Sequence, residues 1–344
     1  MSNAAKYTRT TVFTPRLQAL LHDHRSEDVF RLDENTVGVA GSALTHQILS
    51  ARPATEIERP TFKPLHGRSI PRNDALKLMQ AIGSDVRAAL KRPVSKTVDF
   101  SGEWPRVGHV YLRDLILGED PYRLRFLMDR ILELTPKLTW AVIAAGAASS
   151  VRLRPEASAI AKLTASASTY NDRRYAMGLY RRTAAPVCFT ISTLVANALW
   201  LGSPFDKDTS NRNILYEALR LLPPSWNILR SASPEYCALD SRIGPNDDVL
   251  ILPLLSHRDP AIWDDADEFR PERWDSLNPS EQPGYLPFGH TSERCWGQHM
   301  VMPLAERLLD IIRNNGLAVS PRQITADVPL AGLLGVFQVS VVRQ

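Results

Sequence analysis

Cysteine thiols are the softest nucleophiles and metal ligands a chain can offer, and this one has three, Cys188, Cys237 and Cys295. They are far apart, odd in number and form no CxxC pair, so the spacing suggests neither a disulfide framework nor a zinc site. By itself each would be a structural cysteine of a reducing compartment. Cys295 differs in its surroundings: the run Phe288-Gly289-His290-Thr291-Ser292-Glu293-Arg294-Cys295-Trp296-Gly297 places glycines on both sides of it, and glycine permits close backbone approach. Other groups suited to chemistry are Glu217 and Arg220, an i,i+3 pair that is ordinary on helix surfaces, and His257 and His299, each of which alone suits a structural or solvated role.

The order of these patterns says more than any one of them. Glu217-Ala-Leu-Arg220 is followed by Pro223-Pro224, then by His257-Arg258-Asp259-Pro260, Trp263 and Phe269-Arg270-Pro271-Glu272-Arg273-Trp274, and then by the cysteine run. In that order they resemble the cytochromes P450, with their ExxR helix, their HRDP and FxPERW meander, and their haem loop. The resemblance implies one haem b with Cys295 as the thiolate ligand of the iron, cradled by Phe288, Gly289 and Gly297. It also implies a buried network of Glu217, Arg220 and Arg273 supporting the cysteine loop, since a buried charged trio persists only when fully paired. Arg230 matches a position that binds a haem propionate. Two residues depart from the pattern: Thr291 stands where glycine is usual, and Glu293 where a basic residue meets a propionate. Either Glu293 points to solvent or Arg294 takes its place.

The uncharged segment Thr183 to Phe205 is long enough to suggest a membrane span, but Pro186, Thr190, Ser192, Thr193 and Asn197 fit a helix through the protein core better. It resembles the family's central helix beside the haem. Aligned on its Ala198-Leu199-Trp200-Leu201 ending, Thr190 falls at the oxygen-site threonine, Phe189 replaces the adjacent acid, and Pro186-Val187 replace a small Ala-Gly pair. Phenylalanine cannot relay a proton. Pro186 either starts the helix or opens a groove in it. Of the expected propionate partners on the N-terminal side, Ala75 to Leu90 offers only Lys77 and Arg87.

To position these residues the chain needs a helical body and a small sheet. VFRLDENTVGVA (29–40) predicts a hairpin turning at Asp33-Glu34-Asn35, and Gly41 to Ser50 a helix. The punctuated run to Pro71 predicts a loop. Helices dominate 73–202, with Leu124, Leu127, Ile131 and Leu134 on one face. A helix around 214–222 stops at Pro223-Pro224, strands near 226–232 and 248–254 pair back onto the hairpin, and 257–287 is irregular. A helix spans 296–315 despite Pro303, and VFQVSVV gives a final strand. The expected fold is mainly α with a small β region (about 29–40, 226–254 and 335–342), P450-like, as one domain over 1–344.

The chain has 344 residues, 44% of them hydrophobic, and its 41 basic and 37 acidic side chains are interspersed. Without a polybasic run it predicts no nucleic-acid partner. A polar, basic start predicts no signal peptide or membrane anchor, hence a cytoplasmic protein. The resemblance implies P450-type oxidation, a hydroxylation of a small organic and biosynthetic substrate, with a ferredoxin and reductase as electron donors because no flavin or cluster motif is present. Phe189 favours an alternative enzyme that uses peroxide, or rearranges or dehydrates its substrate. The weak propionate set favours a non-catalytic ligand-binding protein with the same fold.

Overall fold

VFRLD and TVGV pair as antiparallel strands, with Val29, Phe30, Val37 and Val39 buried. In the computed structural model, which describes residues 9–51, 72–93, 98–117, 187–290, 294–295, 297–330 and 333–344, the first elements are β1 (Thr10–Phe13), α1 (Pro15–Asp23), β2 (Val29–Asp33), β3 (Thr36–Val39) and α2 (Ser42–Ser50). The β2–β3 turn closes as the sequence predicts: the Asn35 amide donates to the Asp33 carboxylate at 3.0 Å, an Asx-turn that replaces a backbone bond. Two further helices and a strand follow, α3 (Arg72–Leu90), β4 (Gly102–Trp104) and α4 (Arg106–Leu117).

Residues 187–202 form α5. It is a core helix: Ile191, Leu194, Val195, Ala196, Ala198 and Leu199 are fully buried. Among the described residues no helix is long and apolar enough to cross a membrane. α5 also carries polar side chains into the core: the Ser192 hydroxyl donates to the Cys188 carbonyl at 2.7 Å, and three bonds satisfy Asn197. Its amide nitrogen donates to the carbonyls of Leu222 at 2.8 Å and Leu334 at 3.2 Å, and its oxygen accepts from the Val336 amide at 3.0 Å. One side chain thus joins three segments.

Helix α6 (Asn211–Leu221) starts at Ser210, whose hydroxyl accepts from the Arg212 amide at 3.2 Å, and it ends before Pro223-Pro224, which cannot continue it. Then come β5 (Ile228–Arg230), α7 (Pro234–Leu239), β6 (Asp248–Ile251), α8 (Pro253–Ser256) and a 3-10 turn, Pro271–Asp275. β5 and β6 join the hairpin in a four-stranded sheet of order β2-β3-β6-β5, with β3 and β6 parallel. The last elements are α9 (Gln298–Asn314), β7 (Leu317–Val319), β8 (Thr325–Val328) and β9 (Val339–Arg343). Pro303 lies inside α9 on its exposed side, where solvent can satisfy the carbonyl its missing N–H frees, while Leu304, Leu308, Leu309 and Ile312 are fully buried on the other side.

The final strand begins later than expected. Val336 gives its amide to Asn197 and Phe337 gives its amide to the Asp327 carbonyl at 2.8 Å, so only Val339–Arg343 is free to pair, between β4 and β7. The parallel pair β1–β8 was not expected either. The loop to Pro71, the face of Leu124 to Leu134, and Pro186 lie outside the described residues.

Candidate functional site

Glu217 and Arg220 share a face of α6 because they are three residues apart, and both are fully buried. Arg220 clasps the carboxylate in a fork, Nη2 to Oε1 at 2.7 Å and Nε to Oε2 at 3.1 Å. Its remaining donors reach the carbonyls of His257, Ala266 and Glu268 at 2.9, 2.6 and 2.9 Å. Glu217 also accepts from Arg273 Nε at 3.1 Å, the Arg270 amide at 3.0 Å and the Trp274 indole at 2.9 Å. The structure therefore brings together all three residues of the expected trio. Every polar atom of the buried pair has a partner of opposite polarity, the condition under which such a pair is tolerated. The Trp274 indole joins the network as a further donor, a role that the sequence pattern did not assign to it.

The meander that receives Arg220 leads into the cysteine loop. Gly289 has φ +76°, a left-handed turn that glycine adopts without strain, and the chain then returns so that the Cys295 amide donates to the Phe288 carbonyl at 2.7 Å. Phe288 packs half-buried on the main core. Gly297 is buried at the start of α9; a methyl group there would sit 3.7 Å from Cys295 Sγ, 3.7 Å from Met300 Cε and 4.0 Å from Met79 Cε. Cys295 is a free thiol on an exposed residue, yet the protein packed around the sulfur disfavours its anion. Burial pushes its pKa up, and the amides of Gly297 and Gln298, which point at the sulfur, oppose that. A sulfur met by two amides at a helix N-terminus is built to carry negative charge once a cation compensates the desolvation. Residues 291–293 and Trp296 lie outside the described residues, and so does the question of Glu293; Arg294 is exposed.

On α5, Thr190 and Phe189 are half-buried. The Phe189 ring lies against His109 of α4, with centroids 4.2 Å apart. His109 is 1% exposed and neither ring nitrogen has a hydrogen-bond partner. Burial, helped by the charge of Arg113, pushes its pKa down to about 3, so the ring is neutral. Sequence reasoning missed this histidine; the signal was an imidazole four residues before an arginine, on the same side of a helix as apolar Leu112 and Ile116. Arg230, at the end of β5, is 8% exposed and gives one bond to the Leu229 carbonyl at 3.3 Å among its contacts. Lys77 and Arg87 are exposed on α3, which crosses α9 where Gly83 meets His299.

Trp263 and Trp274 of the meander pack together in the core, centroids 5.7 Å apart. His257 is fully buried, and its Nε2 accepts from the Leu286 amide at 2.8 Å. The imidazole is structural, as expected of it.

Comparison with known proteins places these features. The cytochrome P450 profile matches residues 211–312. Cyclooctatin synthase of Streptomyces melanosporofaciens is 40% identical over 88 residues, 25% of this chain and 19% of that protein. Cyclooctat-9-en-7-ol 5-monooxygenase of the same organism is 35% identical over 101 residues, 28% of this chain and 21% of that protein. The matched segment thus spans about a fifth of these relatives' length. A mutant of P450 EryK in complex with erythromycin B has the same fold, with a TM-score of 0.58 over 95% of this chain and 96% of that one at 17% identity. The trio, the meander and the cysteine loop lie in the segment that matches the cytochrome P450 profile, residues 211–312, and the chain has the cytochrome P450 fold over nearly its whole length.

Proposed function

We propose that this protein binds haem b through the Cys295 thiolate and oxidises a small organic substrate, by hydroxylation, in a biosynthetic sequence. The single observation that carries the reading is the Cys295 loop: a thiol fixed by its own amide, faced by the amides of Gly297 and Gln298, and backed by a fully paired Glu217–Arg220–Arg273 network. That donor set fits a porphyrin iron, because a soft anionic sulfur in a rigid, amide-lined turn is the ligand such an iron takes. When bound, the haem supplies oxygen activation at the iron, which the thiolate's electron donation favours.

The chain's own residues do the rest. The amides of Gly297 and Gln298 spread the sulfur's charge, and Phe288, packed on the core, anchors the loop by accepting from the Cys295 amide. Buried Arg230 is the cation best placed by sequence for a propionate, with exposed Arg294 beside the sulfur as the second. Thr190 holds a proton on Oγ1. Electrons come from a ferredoxin and its reductase, and the protein works in the cytoplasm.

Phe189 supports a second reading, an enzyme that takes peroxide or rearranges or dehydrates its substrate. At this position the ring lies against a neutral histidine, and neither side chain can deliver a proton from solvent. The first test is the absorbance of haem-loaded, reduced protein with carbon monoxide: a red-shifted Soret band is expected, and Cys295→Ser should abolish it. An unchanged spectrum in that variant would overturn the reading. Product formation with hydrogen peroxide, compared with ferredoxin, reductase and NADPH, separates the two enzymes. Phe189→Asp should raise oxygen-dependent coupling; unchanged coupling would reject a missing proton relay.

A further inference from the structure

His257 belongs to neither the charged trio nor the cysteine loop, yet it bonds the first and the segment that leads into the second. Its backbone carbonyl accepts from Arg220 Nη1 at 2.9 Å, and its ring accepts from the Leu286 amide at 2.8 Å. Leu286 lies two residues before Phe288, whose carbonyl accepts from the Cys295 amide at 2.7 Å. Pro287 between them has no N–H to give. A continuous path therefore runs from the Glu217–Arg220 fork through one imidazole to the loop that presents the sulfur. The rest of the ring faces the Tyr285 ring, 5.2 Å away, the backbone of Leu219 and Arg220, and the charges of Arg220 and Arg258; Nδ1 makes no well-formed hydrogen bond.

We propose that His257 is a positioning residue that transmits the fixed geometry of the Glu217–Arg220 fork to the Cys295 loop through the Leu286 amide. A buried amide without an acceptor loses its whole solvation, so this segment keeps its path only while the ring nitrogen stays an acceptor. Burial, then the nearby charge of Arg220, push the imidazole's pKa down to about 3, so Nε2 stays unprotonated in the neutral range. The functional weight of this strut rests on the haem-thiolate reading; its geometry does not.

The test is amide hydrogen exchange in the intact protein, with the amides of β6 as reference. His257→Phe keeps a ring and removes the acceptor; His257→Gln keeps an acceptor at the reach of Nε2. In His257→Phe, exchange at Leu286 and at Cys295 should quicken by at least about tenfold while β6 is unchanged, and His257→Gln should keep wild-type protection at both. After loading with haem, the fraction of thiolate-type carbon monoxide band should fall in the first variant and return in the second. An unaltered Cys295 amide in His257→Phe, or His257→Gln exchanging as fast as His257→Phe, overturns the proposal. If His257→Phe does not fold, His257→Gln decides alone: wild-type protection upholds the strut, and lost protection at both amides overturns it. A wild-type protein lacking the thiolate band would count against the haem reading and leave the exchange result standing.

Discussion

Replacing Glu217 by glutamine keeps the side chain's shape and removes its charge, which isolates what the buried network needs. Five donors converge on its two oxygens: three on Oε1, from Arg220, Arg273 and the Arg270 amide, and two on Oε2, from Arg220 Nε and the Trp274 indole. Glutamine can keep its oxygen in the first position, but its NH2 then faces two donors in the second. Two hydrogen bonds to a charged group, at ~1.5–3 kcal/mol each, are lost, and two guanidinium groups stay buried without a counter-charge. Together these agree with the ~3–5 kcal/mol cost of breaking a buried ion pair, and against a total of ~5–15 kcal/mol that is a large share. Urea unfolding followed by tryptophan fluorescence and by far-UV circular dichroism measures it, since Trp263 and Trp274 both lie against the network. A loss below ~1 kcal/mol would refute the argument that the charge is required. Arg273→Met removes a single bond to the carboxylate and should cost less, ~1–2 kcal/mol; the reverse order would show that the carboxylate is not the centre of the network.

Acid should weaken the fold through two imidazoles. His109 and His257 are each pushed down from 6.5 to about 3 by burial, so the unfolded chain binds protons that the folded one refuses. Their stabilisation is complete above pH 6.5 and falls as the pH drops from there toward 3, by ~1.4 kcal/mol per pH unit for each ring. His109→Leu should flatten the slope of urea midpoint against pH between 6 and 4.5 by one such share, and an unchanged slope would contradict this. In metal-free protein, iodoacetamide should reach Cys295 at a rate that climbs above pH 9 and leave Cys188, whose thiol burial pushes up to about 12, unlabelled until unfolding; peptide mass spectrometry reads both, and labelling of native Cys188 would show that it is not buried. Gly335→Ala puts a methyl 2.2 Å from Thr193 Cγ2, an overlap that should cost ~1–3 kcal/mol. Thr193→Ser, which deletes that methyl, should recover part of the loss, and no recovery would place the strain elsewhere.

What the sequence determined on its own is local. The hairpin at 29–40, the stop of α6 at Pro223-Pro224, the i,i+3 pairing of Glu217 with Arg220 and the glycine-flanked turn before Cys295 follow from backbone rules that act within a few residues. What only tertiary structure decided has partners distant in sequence. Asn197 reads as an oddity in an apolar helix until Leu334 and Val336 arrive some 140 residues later. β1 reads as a polar leader until it pairs with β8. His109 reads as one more helical residue until Phe189 closes over it. His257, an apparent bystander in a recognisable motif, becomes a link only when Arg220 and Leu286 meet it from opposite sides. Burial removes water as an alternative partner, so the protein must supply each polar atom's mate from wherever the chain happens to pass, and that choice is not written in any short window of the sequence.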